Sequence, residues 1–400
     1  MSRRLRLPLA ILLPLTLSAC SDDSDNFPPP TNPALQYDFS AVDARMQQFL
    51  DESDVYDGIS YTLVDAEQGT VHEAAFGDHT ADIIVLLASA SKVPAASLLM
   101  ALNDDASLDF DVDTVIENYL PWGGVYGDRT TRQLLSNTSG IPGLVNFVVS
   151  GPNGPHSCAV DIDTQLELCA EIIYTTELAG TAPPDTRFDY GGSQWQLAGG
   201  VAEQVSNSSW RQTFDNYIAN PCGMTVMQFG NPSVDWQTLG IDTSVWTGSP
   251  DSLTGLDNPL IEGGAISNLR DYATLLLMHL RGGECEGARV MSEESVAYMQ
   301  VEHSDDLPGN FTDFSYGMGW WISQSLPGVI MDPGLFGSVG WIDTERGIGG
   351  FMAIDDYSYT LLDAAQNPSE PLAPPARFVV EEIIAMHQQA VDEARAALND

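Results

Sequence analysis

Residues 86–102 read "LLASASKVPAASLLMAL", and Lys92 within them is the single lysine of a 400-residue chain. The other fourteen basic side chains are arginine. Arginine keeps its proton at any working pH, whereas a desolvated lysine can shed one and act as a base. Ser89 lies three residues before Lys92, so at a helix start the two side chains face the same side. A hydroxyl is a poor nucleophile until a base removes its proton. Ser89 and Lys92 are therefore a candidate nucleophile and base. Pro94 is tolerated only in a first helical turn, which predicts a helix from about Ser91 to Leu102 with Ser89 at or just before its start.

Outward from this stretch, the bulk numbers narrow the field. Hydrophobic residues make up 44% and aromatics 9%, enough for a real core. The chain carries 56 acidic against 15 basic residues, a net charge of -41. Such a surface repels nucleic acid, so no nucleic-acid partner is expected.

The N-terminus reads as an address. Arg3, Arg4 and Arg6 precede an apolar run from Leu7 to Leu17, followed by "LSAC". That ending resembles a bacterial lipobox, which makes residues 1–20 a lipoprotein signal peptide and Cys20 the site of lipid attachment. The expected location is the cell envelope, exported and membrane-held through the lipid, outer-membrane anchored and facing the periplasm or the surface. Residues 21–38 are polar and proline-rich, suited to a tether. Four cysteines remain: Cys158, Cys169, Cys222 and Cys285. In an oxidising compartment an even count favours disulfides over metal ligands, and three pairings are possible. Cys158 with Cys169 and Cys222 with Cys285 is preferred, since the first closes a short loop. The six histidines show no metal-ligand spacing, and neither metal nor cofactor is expected.

Hydrophobic periodicity organises the rest. "FSAVDARMQQFL" (39–50) has helical spacing, and "ISYTLVD" with "TVHEAAFG" reads as a hairpin turning at "AEQG". The middle mixes helical stretches such as "RDYATLLLMHLR" with Gly- and Pro-rich loops. "YGMGWWIS", "VGWID" and "IGGFMAID" read as strands, and a final helix at 376–398 aligns Val380, Ile384, Val391, Ala394 and Leu398 on one face. Strands at both ends imply one sheet built from distant segments. The predicted class is α/β of the α+β type. It has an antiparallel sheet of N- and C-terminal strands flanked by helices (about 39–106 and 305–400), and an inserted, mainly helical region at about 107–304. Together they make one domain, 39–400.

The segments "IIVLLASASKVPAASLLMALNDDASLDFD" and "YLPWGGVYGDRTTRQLLSNTSGIPG" resemble a known serine hydrolase family. It contains class C β-lactamases, D-Ala-D-Ala carboxypeptidases, related esterases and 6-aminohexanoate-dimer hydrolases, all on the β-lactamase/transpeptidase fold. "PDTRFDYGGSQWQLAG", "NPLIEGGAISNLRDYATLLLMHL", "YGMGWWI" and "DPGLFGSVGWIDTERG" are similar to later family segments, in the family's order, over residues 40–365. The resemblance implies that Tyr190 is a third catalytic group, a phenol that shuttles protons beside the ammonium. It implies an oxyanion hole from the backbone N–H groups of Ser89 and Leu335.

Two departures bear on substrate. Where the family has asparagine two places after the tyrosine, this chain has Gly192. Where it has Lys-Thr-Gly or His-x-Gly, this chain has Asp332-Pro333-Gly334. Gly192, Asp332, Gly334 and Phe336 are the expected substrate-binding positions, with Trp195 and Trp341 more in keeping with core. An aspartate at 332 is expected to repel a substrate carboxylate, and Pro333 removes a donor from an edge strand. The leading expectation is a carboxylesterase-like hydrolase acting on a small neutral ester or amide through a Ser89 acyl-enzyme. A D-Ala-D-Ala carboxypeptidase or weak β-lactamase keeps the mechanism and changes the substrate, and a labelled penicillin would mark it. A chemically silent envelope-binding protein is the alternative of another class, and it would be indifferent to Ser89→Ala. An α/β-hydrolase is excluded because no G-x-S-x-G occurs.

Overall fold

A computed structural model describes residues 35–52, 56–144, 154–232, 234–235, 240–241, 246–304, 306–310, 313–355 and 376–397. Cys20, the tether to residue 34 and Leu398 lie outside them. The predicted hairpin forms: β1 (Gly58–Asp65) pairs antiparallel with β2 (Gly69–Gly77). Five more strands follow late in the chain: β3 (Phe314–Tyr316), β4 (Trp321–Ser323), β5 (Val329–Pro333), β6 (Val339–Asp343) and β7 (Ile348–Ala353). They assemble in the order β3-β4-β5-β6-β7-β1-β2. Every neighbouring pair is antiparallel, so strands from the two ends of the chain meet where β7 joins β1.

One expected strand divides. "YGMGWWIS" is the end of β3, a turn and β4, because Gly317 N–H donates to Trp320 O at 2.9 Å. Gly319 takes φ +84 within that turn, and a Cβ there would stand 3.0 Å from Lys92 O. A side chain would be strained by both the backbone and the contact.

Both faces of the sheet are covered, which is why its central strands are apolar nearly throughout. Ile59, Tyr61, Leu63, Met331 and Trp341 point into a core shared with α1 (Ser40–Asp51) and the C-terminal α6 (Ala376–Ala397). Val64, Ile330, Ile342 and Phe351 alternate with them into the larger core on the opposite face. There α5 (Leu269–Leu280) lies against the sheet, its Tyr272 ring stacked on Phe351 at 4.0 Å. Helix α2 (Lys92–Asp104) is buried without a break from Lys92 to Leu102, Lys92 and Ser97 being the polar residues in that otherwise apolar run. The intervening chain adds α3 (Leu166–Thr175), α4 (Ser193–Ser206) and a short sheet of Val85–Leu86, Ala265–Ser267 and Gln228–Phe229.

Disulfides join Cys158 to Cys169 and Cys222 to Cys285, the preferred pairing. No helix among the described residues is long and apolar enough to cross a membrane.

Candidate active site

The strand Val85–Leu86 pairs with Ala265–Ser267 and then tightens into a 3₁₀ turn, Ala88–Ser91, that runs straight into α2. Ala88 sits at φ +45, a left-handed conformation that costs a non-glycine residue about 1–2 kcal/mol. Three bonds hold this strained turn. Leu87 N–H reaches Ala265 O at 2.9 Å, Ala90 N–H reaches Leu87 O at 3.1 Å, and Ser91 Oγ accepts from Ala265 N–H at 2.9 Å. The turn leaves Ser89 partly exposed while its neighbours are buried.

Lys92 opens α2 and is 1% exposed. Its Nζ donates to Ser89 Oγ at 3.3 Å and to Glu262 O at 2.9 Å, and it pairs with Glu262 Oε2 at 3.3 Å. It also lies 4.7 Å from the centroid of the Tyr190 ring and 5.6 Å from that of Trp195. Two aromatic faces and three oxygens thus surround one buried nitrogen, an arrangement that suits a cation. The structure brings together the three residues expected to be catalytic, with Tyr190 meeting Lys92 through its ring face.

Tyr190 is set by a neighbour that sequence reasoning overlooked. Asn137, at φ +59 in "LLSNTSG", accepts from Gly191 N–H at 2.9 Å and from Trp195 Nε1 at 2.8 Å. Its own carbonyl takes Asp189 N–H at 2.9 Å. The Tyr190 ring packs on Trp321 at 4.9 Å and on Tyr316 at 5.8 Å. Burial, then the nearby Tyr190, pushes the Tyr316 phenol well above its ordinary value.

Glu262 was overlooked as well. Its signal in the sequence is an acid inside the apolar, glycine-rich "LIEGGAI". Besides meeting Lys92, Oε2 accepts from Gly192 N–H at 2.8 Å. That bond defines what Gly192 does. With φ +85 and a would-be Cβ 2.9 Å from Gly143 C, position 192 has no room for the family's asparagine. Its backbone serves Glu262.

The expected substrate-binding residues are placed differently from the reading of the sequence. Asp332 is 1% exposed and turned inward, where Tyr272 Oη meets its Oδ2 and also reaches Ala90 O at 3.3 Å. Burial pushes the Asp332 carboxyl well above the usual carboxylate range. A protonated Asp332 satisfies both contacts of Tyr272 Oη at once and presents no charge to a ligand. Burial therefore works against the charge on which the expected repulsion of a substrate carboxylate depends. Phe336 is buried with Leu86, Ala88, Leu253 and Ile266. Gly334 lies against the Ser89 turn, a Cβ there falling 2.1 Å from Leu87 O, and its N–H bonds Ser338 O at 2.6 Å. Both are packing residues that join the end of β5 to the Ser89 turn. Leu335, next to Gly334, is 41% exposed. Pro333 pairs with Val339 on β6 and lies beyond the pairing of β5 with β4, the edge position expected of it. Trp195 and Trp341 are core, as expected.

Comparison with known proteins agrees with this geometry. Penicillin-binding protein 4 of Amycolatopsis lactamdurans is 25% identical over 312 residues, covering 73% of this chain and 77% of that protein. Esterase/beta-lactamase LipL of Mycobacterium tuberculosis (strain ATCC 25618 / H37Rv) is 22% identical over 334 residues, 72% of each chain. The structure of EstCE1, a hydrolase with promiscuous acyltransferase activity, superposes with a TM-score of 0.61 at 19% identity, covering 81% of this chain and 95% of that one. This last likeness is one of fold. The Beta-lactamase family matches residues 42–367, and the chain belongs to that family as one of its serine hydrolases.

Proposed function

We propose that the protein hydrolyses small neutral esters, or amides without a free carboxylate, through an acyl-enzyme on Ser89. The observation that carries the reading is the 3.3 Å contact between Lys92 Nζ and Ser89 Oγ in a site where the lysine is buried. Lys92 and Tyr190 take the serine proton as Oγ attacks the carbonyl carbon. They return it to the leaving group, and water repeats the sequence on the acyl-enzyme. The N–H groups of Ser89 and Leu335 receive the oxyanion, each such donor lowering the barrier by about 3 kcal/mol. The packing of Gly334 on Leu87 supports this pairing of turns.

The preference for neutral substrates rests on position 332. An inward, neutral acid stands where relatives place a cation, so nothing there attracts a carboxylate. Turnover of p-nitrophenyl butyrate is expected to exceed that of a chromogenic cephalosporin, and Ser89→Ala is expected to abolish it. Faster cephalosporin turnover overturns the substrate reading. The similarity to a penicillin-binding protein favours a second reading, a cell-wall carboxypeptidase, which covalent labelling by a fluorescent penicillin would establish.

The same proposal places the protein at the cell envelope through lipid on Cys20. Incorporation of labelled palmitate is expected in the wild type and absent in Cys20→Ala; equal labelling of both overturns the assignment.

A further inference from the structure

Glu262 has no part in the chemistry described so far, yet it touches the catalytic lysine twice. Its carbonyl accepts from Nζ at 2.9 Å, and its carboxylate stands 3.3 Å from the same nitrogen. The Lys92 and Glu262 side chains are 1% and 8% exposed. The same carboxylate oxygen accepts Gly192 N–H, in space that Gly191 leaves open, since a Cβ at 191 would fall 2.5 Å from Oε2. Two consecutive glycines at positive φ, 68 and 85, make room for one acid. A carboxylate buried merely to neutralise lysine needs no such cradle.

From this geometry we infer that Glu262 is the positioning residue of Lys92, aiming Nζ at Ser89 Oγ and holding the proton that Lys92 must give up before it can act. The inference rests on the acyl-enzyme reading and deepens it. Burial disfavours both charges of the pair while their attraction favours them, so the proton has two places to sit. With the proton on Oε2, Nζ is a neutral amine. Its lone pair takes the Ser89 hydroxyl proton as Oγ bonds to the carbonyl carbon, leaving an ammonium beside the oxyanion. The ammonium then passes that proton to the departing alkoxide or amine, directly or through Tyr190, as the carbonyl reforms. Nζ is again an amine, and the pair, which held a second proton only while the ammonium lasted, returns to one.

The groups facing this pair are few. Among the described residues, Tyr190 lies under Nζ, Tyr316 and Asp332 face the pair from the sheet, and Tyr272 of α5 stands behind Asp332 with its Oη on Oδ2. Burial holds Tyr316, Tyr272 and Asp332 toward their neutral forms. The acid limb of activity accordingly belongs to uptake of a second proton by Lys92–Glu262.

The test is the pH dependence of kcat and KM for p-nitrophenyl butyrate between about pH 5 and 9, on full-length protein. Glu262→Gln keeps an acceptor for Gly192 N–H but forces Lys92 to lose its proton to solvent. In this variant kcat at pH 7 is expected to fall at least tenfold, KM to change less than twofold, and the acid limb to move upward by more than one pH unit. Glu262→Asp retains a carboxylate and is expected to keep the limb at its wild-type position with a lower rate. This second variant carries the test if the glutamine variant does not fold. A Glu262→Gln rate scaled equally at all pH values, or a limb that follows Asp332→Asn instead, overturns the proposal. Ser89→Ala separates the two readings. If it retains turnover, the acyl-enzyme reading falls and this one with it. If it is inactive while Glu262→Gln follows the wild type, only the role of Glu262 falls.

Discussion

Ser89 and Lys92 meet because three residues at the entry to a helix span less than one turn, and this much is local geometry. Lysine at 92 was legible as special from its uniqueness, and the structure gives it a buried position among oxygens and aromatic rings. Lys92→Arg preserves the charge but not the ability to act as a base. The variant is expected to lose about 10³-fold or more in kcat for p-nitrophenyl butyrate. Retained activity would mean that the lysine is only a counter-charge. Glu262 escaped the sequence reading for a physical reason. An acid 170 positions away in sequence becomes the partner of Lys92 only after two loops close on each other. Asp332 differs for the converse reason: its letter promises a charge on the surface, and the fold buries it, which disfavours that charge.

At the scale of elements, the hairpin, α5 and the final helix lie where their periodicity put them, and α2 starts where Pro94 requires, in a first helical turn. The divided strand at 314–323 shows where periodicity falls short, since the turn depends on a glycine packed against Lys92 O. Helix α4 carries a half-buried acid, Glu203, whose Oε1 accepts Trp210 N–H at 2.8 Å. Burial is the main cause that pushes its carboxyl from 4.5 up to about 7. A folded value above the unfolded one means that the native state binds the extra proton. Its stabilising effect is complete below pH 4.5 and is lost as the pH rises to about 7. The loss is on the order of 3 kcal/mol. Glu203→Gln keeps the bond to Trp210 and removes the charge. The Tm of the variant relative to wild type is expected to rise with pH between 5 and 7 and then level. A difference flat in pH would show that Glu203 does not titrate in this window.

For the whole molecule, the two disulfides differ in what they restrain. Cys158–Cys169 spans 11 positions and Cys222–Cys285 spans 63. Restriction of the unfolded chain gives about 3 kcal/mol for the short loop and about 4 kcal/mol for the long one. The double variant Cys222→Ala/Cys285→Ala is expected to melt at lower temperature than Cys158→Ala/Cys169→Ala, and the reverse order would point to native-state packing as the larger effect. The sheet is likewise a whole-molecule fact. β7 and β1 pair across most of the chain, Ser60 with Ala353, which the strand-rich ends of the sequence anticipated. What the sequence determined by itself was everything encoded by spacing and residue type: the S-x-x-K pair, the strands and helices with one clear apolar face, and the parity of cysteines. Tertiary structure alone decided which acid stands beside the lysine, that the acid at 332 is buried and turned inward, and that Gly192 serves a carboxylate. Those outcomes depend on desolvation and on contacts between distant segments, and neither is a property of any local stretch of chain.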